Sequence, residues 1–183
     1  TRPVQVIGGH ICIYIPENAG FCDHIEESIP PIEAVGKDYF VTVPLINAPA
    51  ATKARMVRIV ATEPNTVLTY NPMVNGAPLM LANAGDVATI NATSENFRIS
   101  SEQKILVSEY MQGQAAGGNK GDPAMTLAVP VEQYRTNYLI HAPTNYTDSF
   151  ANIVAPTGAA ITVDGGAVNG WIPIGNGEYS VAR

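Results

Sequence analysis

The chain has 183 residues, of which 14% are charged, and it carries a net charge of −6 with 16 glycines and 14 prolines. Few charges and many turn-forming residues are typical of β-rich extracellular domains, and the length suits one sizeable domain or two small ones. The sequence has no basic run, which argues against a nucleic-acid partner, and no apolar stretch of about 18 residues, which argues against membrane insertion.

The first residues predict strands joined by a cysteine-containing loop. Alternating β-branched side chains predict strands at residues 4–7 and 11–15. Nine residues separate Cys12 from Cys22, and this spacing in a loop rich in Gly and Pro favours a disulfide formed in an oxidising compartment. Two alternatives stay open: both thiols are free and buried, or a zinc ion is bound. The zinc ligands would be His10, Cys12, Cys22 and His24.

The segment after Cys22 predicts a single helical turn over residues 23–29. Asp23 has the character of an N-cap, and Glu26 follows it at the spacing of a capping box. Two prolines at residues 30–31 would end this turn, because proline cannot continue a helix.

A series of short strands follows, separated by turns about every 8–12 residues. No segment sustains a helical period, so the sequence predicts an all-β fold of β-sandwich-like modules. Before the glycine-rich segment 112–121, the predicted strands cover residues 39–43, 56–61, 66–70, 87–90, 97–99 and 104–111. After it, they cover residues 125–129, 138–141, 151–154, 161–163, 171–174 and 179–181.

A repeated block organises these strands. Residues 31–44 align without a gap on residues 130–143, with Pro, Glu, Tyr and Pro at the same places 99 positions apart. Such a repeat predicts two tandem, related modules. The first copy is assigned to residues 30–121 and the second copy to residues 122–183, while residues 1–29 form an N-terminal strand and the cysteine loop. A second repeated block, 94 positions apart, comprises residues 59–61 with 153–155 and residues 74–76 with 168–170.

The two copies differ in their closing strands. The first copy continues into the predicted strands 97–99 and 104–111, whereas the second copy has no such strand after its matching turn at Gly177. Residues 2–6 resemble residues 103–107. Because an unpaired edge strand invites aggregation, we expect the N-terminal strand to complete the second copy.

Four motifs, taken in this order, resemble the IgGFc-binding protein N-terminal domain family over nearly the whole chain. They are Cys-Asp-His-Ile-Glu-Glu-Ser-Ile-Pro-Pro at residues 22–31, Gly-Lys-Asp-Tyr at 36–39, Gly-Asp-Pro-Ala-Met at 121–125 and Pro-Val-Glu-Gln-Tyr at 130–134. The resemblance implies a secreted or cell-surface module of the kind found in an animal mucin-like protein and in large bacterial surface proteins. No residue set for immunoglobulin binding carries over to this sequence.

The candidate ligand-binding residues lie outside the repeat. Asp23, His24, Glu26 and Glu27 crowd together, and a neutral histidine beside carboxylates can do acid–base work. No serine or cysteine nucleophile stands in a known catalytic setting, so a local capping role competes with a site. Tyr146 adds an aromatic side chain in a predicted loop.

The repeated carboxylates and aromatics are Glu33 with Glu132 and Tyr39 with Tyr138. They favour a scaffold role over two equivalent ligand sites, because such residues commonly fix turns by hydrogen bonding backbone N–H groups and fill cores.

The sequence therefore favours an extracellular, non-catalytic binding or adhesion module of a larger cell-surface protein, without a cofactor. Its partners would be a protein or carbohydrate ligand, bound through loops, and neighbouring modules of the same polypeptide. The alternative is a structural spacer within a surface protein. A third hypothesis is a zinc-dependent hydrolase that uses the four ligands named above.

Overall fold

The computed structural model describes residues 2–46, 53–116, 118–146 and 148–183. The chain is all-β, as predicted, and its described part contains two short 3-10 helices, Ile32–Ala34 and Val131–Gln133. Neither helix has the length and apolar character needed to span a membrane, and the described part contains no other helix. The strands are β1 (Val6–Ile13), β2 (Asp23–Ile29), β3 (Gly36–Val41), β4 (Arg55–Ala61), β5 (Thr66–Asn71), β6 (Met80–Leu81), β7 (Val87–Thr93), β8 (Phe97–Met111), β9 (Ala124–Leu127), β10 (Ile153–Pro156), β11 (Thr162–Val163), β12 (Gly166–Ala167), β13 (Ile172–Ile174) and β14 (Tyr179–Ala182).

β1 and β2 form a two-stranded antiparallel ribbon. The helical turn predicted for residues 23–29 is therefore wrong. Side chains alternate along β2, because Ile25 is buried while its neighbours His24 and Glu26 are exposed. Asp23 and Glu26 do have the capping-box spacing, but pairing with β1 engages the backbone of this segment as a strand.

β8 is the central strand of the main sheet. The sheet has the order β6–β5–β8–β4–β7, and β3 and β9 also pair with β8. The sequence predicted two strands within Phe97–Met111, but the structure has one continuous strand of 15 residues. Its first half pairs with β3 and β5, and its second half pairs with β4 and β9. The largest core cluster packs on this sheet and includes Tyr39, Val41, Val57, Ile59, Leu68, Tyr70, Phe97, Ile99, Ile105 and Val107.

The second copy repeats one strand pairing of the first copy. Ile59 in β4 pairs with Ala88 in β7, and Ile153 in β10 pairs with Ala182 in β14. Both members of the second pair lie 94 positions after their counterparts, so the register is the same. β14 also pairs with β13, and β11 with β12 forms a small separate hairpin.

Two predictions about the second copy are wrong. Residues 138–141 form no strand and are exposed, and the N-terminal strand pairs with β2 and does not complete the second copy. The equivalent of residues 138–141 is β3, which is a strand because it pairs with β8. No β8 equivalent pairs with residues 138–141 in the described part of the chain. The disulfide-closed loop, for its part, brings β1 beside β2.

The two copies pack against each other through the face of β3 that turns away from the first core. Phe40 is buried in a cluster with Ile174 and Val181 of the second copy, and its ring centroid lies 4.5 Å from that of Tyr179. Arg98 of β8 reaches across the same contact, since its Nη1 lies 2.8 Å from Glu178 Oε2. The second copy thus buries its sheet against the first copy.

The second 3-10 helix, Val131–Gln133, contacts the start of β3. The Lys37 N–H donates to Glu132 Oε1 at 2.9 Å, and Tyr39 forms an isolated β-bridge with Pro130. A Cβ atom at Gly36 would collide with Pro130 and Glu132, so this close approach requires glycine. The predicted module boundaries after residues 29 and 121 stay predictions, and β9, which follows the second of them, pairs with β8.

Candidate functional site

The β1–β2 ribbon carries most of the candidate residues. Three buried or half-buried side chains, Ile13, Ile15 and Ile25, anchor it to Met56 and Tyr110 of the main sheet. The Gly113 N–H also donates to the Ile15 carbonyl at 2.7 Å and ties the end of the ribbon to the glycine-rich segment. The rest of β1 is largely exposed. The ribbon is therefore attached to the main sheet at one end, while most of β1 faces solvent.

The predicted disulfide between Cys12 and Cys22 is confirmed, with a Cα–Cα distance of 5.1 Å. The two sulfur atoms are bonded to each other, so neither is a thiolate ligand, and the zinc alternative with His10 and His24 is wrong, as is the free-thiol alternative. His10 instead accepts the Cys12 N–H on Nδ1 at 3.1 Å. No cluster of metal-ligating side chains occurs among the residues that the structure describes.

The candidate carboxylates on β2 bond mainly to their nearest neighbours. Asp23 Oδ1 accepts the His24 N–H at 2.7 Å, and Glu27 Oε1 accepts the Ser28 N–H at 3.0 Å. The His24 Nε2 lies 3.4 Å from Glu26 Oε2, and both side chains are more than half exposed. His24 and Glu26 lie on the face of β2 opposite Ile25, whereas Asp23 and Glu27 lie on the same face as Ile25, so the four side chains do not converge on one site.

Tyr146 is exposed in the second copy, and no hydrogen bond or ion pair in the described part of the chain joins it to the ribbon. The structure therefore brings Asp23, His24, Glu26 and Glu27 together on one strand without assigning Tyr146 to the same site.

Glu27 also faces a shallow groove of about 300 Å³. Its other walls come from β9 and from the starts of the two repeated blocks, and they are mainly apolar. Residues on these walls include Val35, Tyr39, Leu127, Val129 and Pro130. Pro30 and Pro130 thus both line a concave surface at the base of the ribbon, which was not predicted from the sequence.

A second cleft, of about 520 Å³, contains a buried ion pair that sequence reasoning missed. The Arg55 Nε lies 3.0 Å from Glu109 Oε2, Arg55 Nη2 donates to the Glu95 carbonyl at 3.0 Å, and the guanidinium lies over the Phe97 ring. Arg55 is only 1% exposed. Arg55 directly precedes the predicted strand 56–61 and Glu109 lies in the predicted strand 104–111, but only the strand pairing shows that the two residues meet.

Burial is the largest cause of the pKa shifts of Arg55 and Glu109. It raises the pKa of Glu109 from 4.5 to about 7, and the nearby Arg55 guanidinium opposes this shift. Burial likewise lowers the pKa of Arg55 to about 10, against the attraction of the Glu109 carboxylate. The pair joins β4 to β8 diagonally, since Val57 is the residue directly opposite Glu109.

One comparison with known proteins gives a match over the full length. The family model described as IgGFc binding protein matches residues 1–183. The chain belongs to the IgGFc binding protein family. Searches of curated proteins and of solved structures found no match.

Membership of the IgGFc binding protein family agrees with the disulfide and the all-β fold. The family is one of binding modules, typically extracellular or secreted, and is not a known enzyme family. This confirms the resemblance seen in the four sequence motifs.

Proposed function

We propose that this chain is a non-catalytic adhesion module of a larger cell-surface protein, and that it binds a protein partner along the outer edge of β1. The observation that carries the proposal is an exposed, apolar edge strand. β1 pairs with β2 on one side, and among the described residues nothing pairs with its other side. Its sequence, Val-Ile-Gly-Gly-His-Ile-Cys-Ile, contains no Lys, Arg, Asp or Glu.

Such an edge favours strand addition by a partner. Natural proteins usually protect edge strands with charged residues, prolines or covering loops, because free N–H and C=O groups pair readily with another chain. Peptide partners use this property, with main-chain hydrogen bonds supplying affinity and alternate side chains supplying specificity. β1 keeps such an edge open on a ribbon that a disulfide and a buried isoleucine cluster hold in place.

Exposed apolar side chains extend the surface around this edge. Ile11 is 84% exposed, and Val6, Ile7, Tyr14 and Phe21 are each about half exposed or more. Clustered apolar side chains of this kind mark protein-interaction surfaces. The exposed side chains of Asp23, His24 and Glu26 on β2, with the half-buried Glu27, would border the contact and favour a partner with basic residues there.

The test measures binding of the purified chain to immobilised extracellular proteins, beginning with immunoglobulin G Fc, which the family description names. For any protein bound, Ile11→Lys should weaken binding by about tenfold or more, because a buried charge at an interface costs at least about 1.4 kcal/mol. Val67→Lys is the matched control, since Val67 is exposed on β5 and lies far from the ribbon in sequence.

Three results would overturn the proposal. Binding that Ile11→Lys leaves unchanged would place the contact elsewhere. Recognition of immobilised glycans without any protein ligand would favour a carbohydrate-binding module. A chain that binds nothing on either surface, while remaining folded, would favour the structural spacer.

A further inference from the structure

Equivalent residues in the two copies have opposite exposures. In the first copy Tyr39, Phe40 and Val41 are 0%, 6% and 0% exposed, and they lie in β3. Their counterparts in the second copy, 99 positions later, are Tyr138, Leu139 and Ile140, which are 67%, 101% and 66% exposed. Three apolar side chains in a row are thus left in solvent at a place where the first copy buries them.

The local backbone of the two copies is nevertheless the same up to this point. Each copy forms a 3-10 helix after its first proline, with extended residues on both sides. The Tyr39 hydroxyl accepts the Gly36 N–H at 2.8 Å, and the Tyr138 hydroxyl accepts the Arg135 N–H at 2.9 Å. The second copy has therefore already adopted the conformation from which β3 begins.

The two copies differ in the hydrogen-bond acceptor of the tyrosine hydroxyl. The Tyr39 hydroxyl donates to the Ile105 carbonyl of β8 at 2.6 Å, whereas no acceptor for the Tyr138 hydroxyl occurs in the described part of the chain. β8 also pairs with the edge of β4 that β7 leaves free. The counterpart of β4 is β10, which pairs with β14 in the same register, and no described strand pairs with its other edge.

We propose that residues 138–141 and the free edge of β10 together accept a strand of the β8 type from a neighbouring repeat module. β8 defines what such a strand must present. Its core-facing side chains, Phe97, Ile99, Ile105 and Val107, are all 0% exposed and alternate within each half of the strand. A matching strand would bury Tyr138 and Ile140 on one side and pair with Ile153 and Ala155 on the other.

The contact between the two copies indicates why the β8-type strand would come from a neighbouring module. Leu139 occupies the position of Phe40, and Phe40 is covered by Ile174 and Val181 of the next copy along the chain. A further module that packed in the same way would cover Leu139, while its strand completed the second copy. The N-terminal residues 2–6 do not meet this need, because they resemble only residues 103–107, whereas β3 pairs mainly with residues 97–100.

The test uses a fluorescent synthetic peptide with the sequence of β8, Phe97–Met111, titrated with the complete chain. We expect saturable binding in fluorescence anisotropy and slower hydrogen exchange at residues 138–141 and in β10. Ile140→Asp should abolish binding, because it places a charge on the buried side of the acceptor. Tyr138→Phe should weaken binding by about fivefold, which corresponds to one lost hydrogen bond.

Two controls make the test specific. Leu79→Asp changes an exposed leucine of the first copy and should leave peptide binding unchanged. A peptide with Ile99→Pro and Ile105→Pro should not bind, because proline cannot donate to a strand ladder. Residues 138 and 140 are exposed, so their variants should unfold at the wild-type temperature without peptide, which separates loss of binding from loss of fold.

The assignment is overturned if the peptide does not bind, or if Ile140→Asp binds it as well as the wild type does. It is also overturned if the chain associates with itself and deletion of residues 2–5 both abolishes that association and first permits peptide binding. In that case the N-terminal segment of a second copy of the chain would occupy the edge.

Discussion

At the scale of single residues, the buried pair of Arg55 and Glu109 is the most consequential charge arrangement in the chain. Both side chains are largely buried at the main sheet. For Glu109, desolvation raises the pKa by more than the attraction to Arg55 lowers it. The folded pKa of Glu109, about 7, lies above its ordinary value of 4.5. The folded chain therefore binds this proton more tightly than the unfolded chain does.

The pH dependence of stability should reveal this shift. The contribution of Glu109 is fully present below pH 4.5 and is lost as the pH rises to about 7, by about 3 kcal/mol in total. Glu109→Gln cannot titrate. We therefore expect the free energy of unfolding of the wild type, minus that of Glu109→Gln, to decrease over this range in urea titrations.

Glu63→Gln is the matched control for the Glu109 prediction, because it removes a carboxylate from the exposed surface. Parallel pH profiles for the wild type and Glu109→Gln would contradict the raised pKa. A difference that grows as the pH rises would show that attraction to Arg55 dominates over burial.

The sequence predicted single residues well where the signal was local. It paired Cys12 with Cys22, and it identified Tyr39 as a repeated aromatic residue that engages backbone groups. It missed the meeting of Arg55 with Glu109, because their contact depends on the register of two strands that are distant in sequence. Residue identity alone does not encode that register.

At the scale of elements, the β1–β2 ribbon stands apart from the main sheet. It has its own pairing, and it touches the rest of the chain mainly through Ile13, Ile15 and Ile25. A two-stranded ribbon is at best marginally stable alone in water. The disulfide and this small apolar cluster are therefore what keep β1 in place.

Removing the disulfide should loosen the ribbon selectively. In the double variant Cys12→Ser and Cys22→Ser, the unfolded loop gains freedom that corresponds to about 2–3 kcal/mol in the entropic model. We expect faster hydrogen exchange in β1 and β2, with exchange in β4 and β8 changed much less. Equal acceleration throughout the chain would show that the ribbon and the main sheet unfold as one unit.

The sequence predicted most strands but not their limits or partners. Alternation identified β4, β5 and β14, whereas the capping-box spacing of Asp23 and Glu26 misled the prediction for β2. Residues 138–141 have a strand-forming sequence and yet form no strand, because a strand exists only beside a partner. Strand propensity depends on the local sequence, whereas strand pairing depends on residues that are distant in the chain.

At the scale of the whole molecule, one face of β3 joins the two copies. Phe40 packs among Ile174, Val181 and Tyr179, and Glu132 accepts a backbone N–H at the start of the same strand. The sequence predicted the repeat from which this contact arises. It could not predict that the second copy would bury its sheet against the first copy and would lack a closed core of its own in the described part of the chain.

Phe40→Ala should therefore destabilise the contact between the copies. Loss of this buried ring should cost about 3–5 kcal/mol of unfolding free energy, through lost transfer energy and a residual cavity. The equivalent change Leu139→Ala should cost less than about 0.5 kcal/mol, because its side chain is fully exposed. Urea titration of the two variants checks this. Similar losses in both would contradict the packing described for β3.

The central position of β8 also determines when the main sheet can be completed. β3, β4 and β5 all pair with Phe97–Met111, and they precede it in the chain. Until β8 has been synthesised, β4 can pair only with β7 and β5 only with β6, and β3 has no strand partner among the described residues that precede β8. The contacts that β8 then adds span long stretches of sequence. Such topologies fold slowly. The main sheet is therefore completed only when Phe97–Met111 is present, so a chain that lacks this strand should keep the β4–β7 and β5–β6 pairs unjoined.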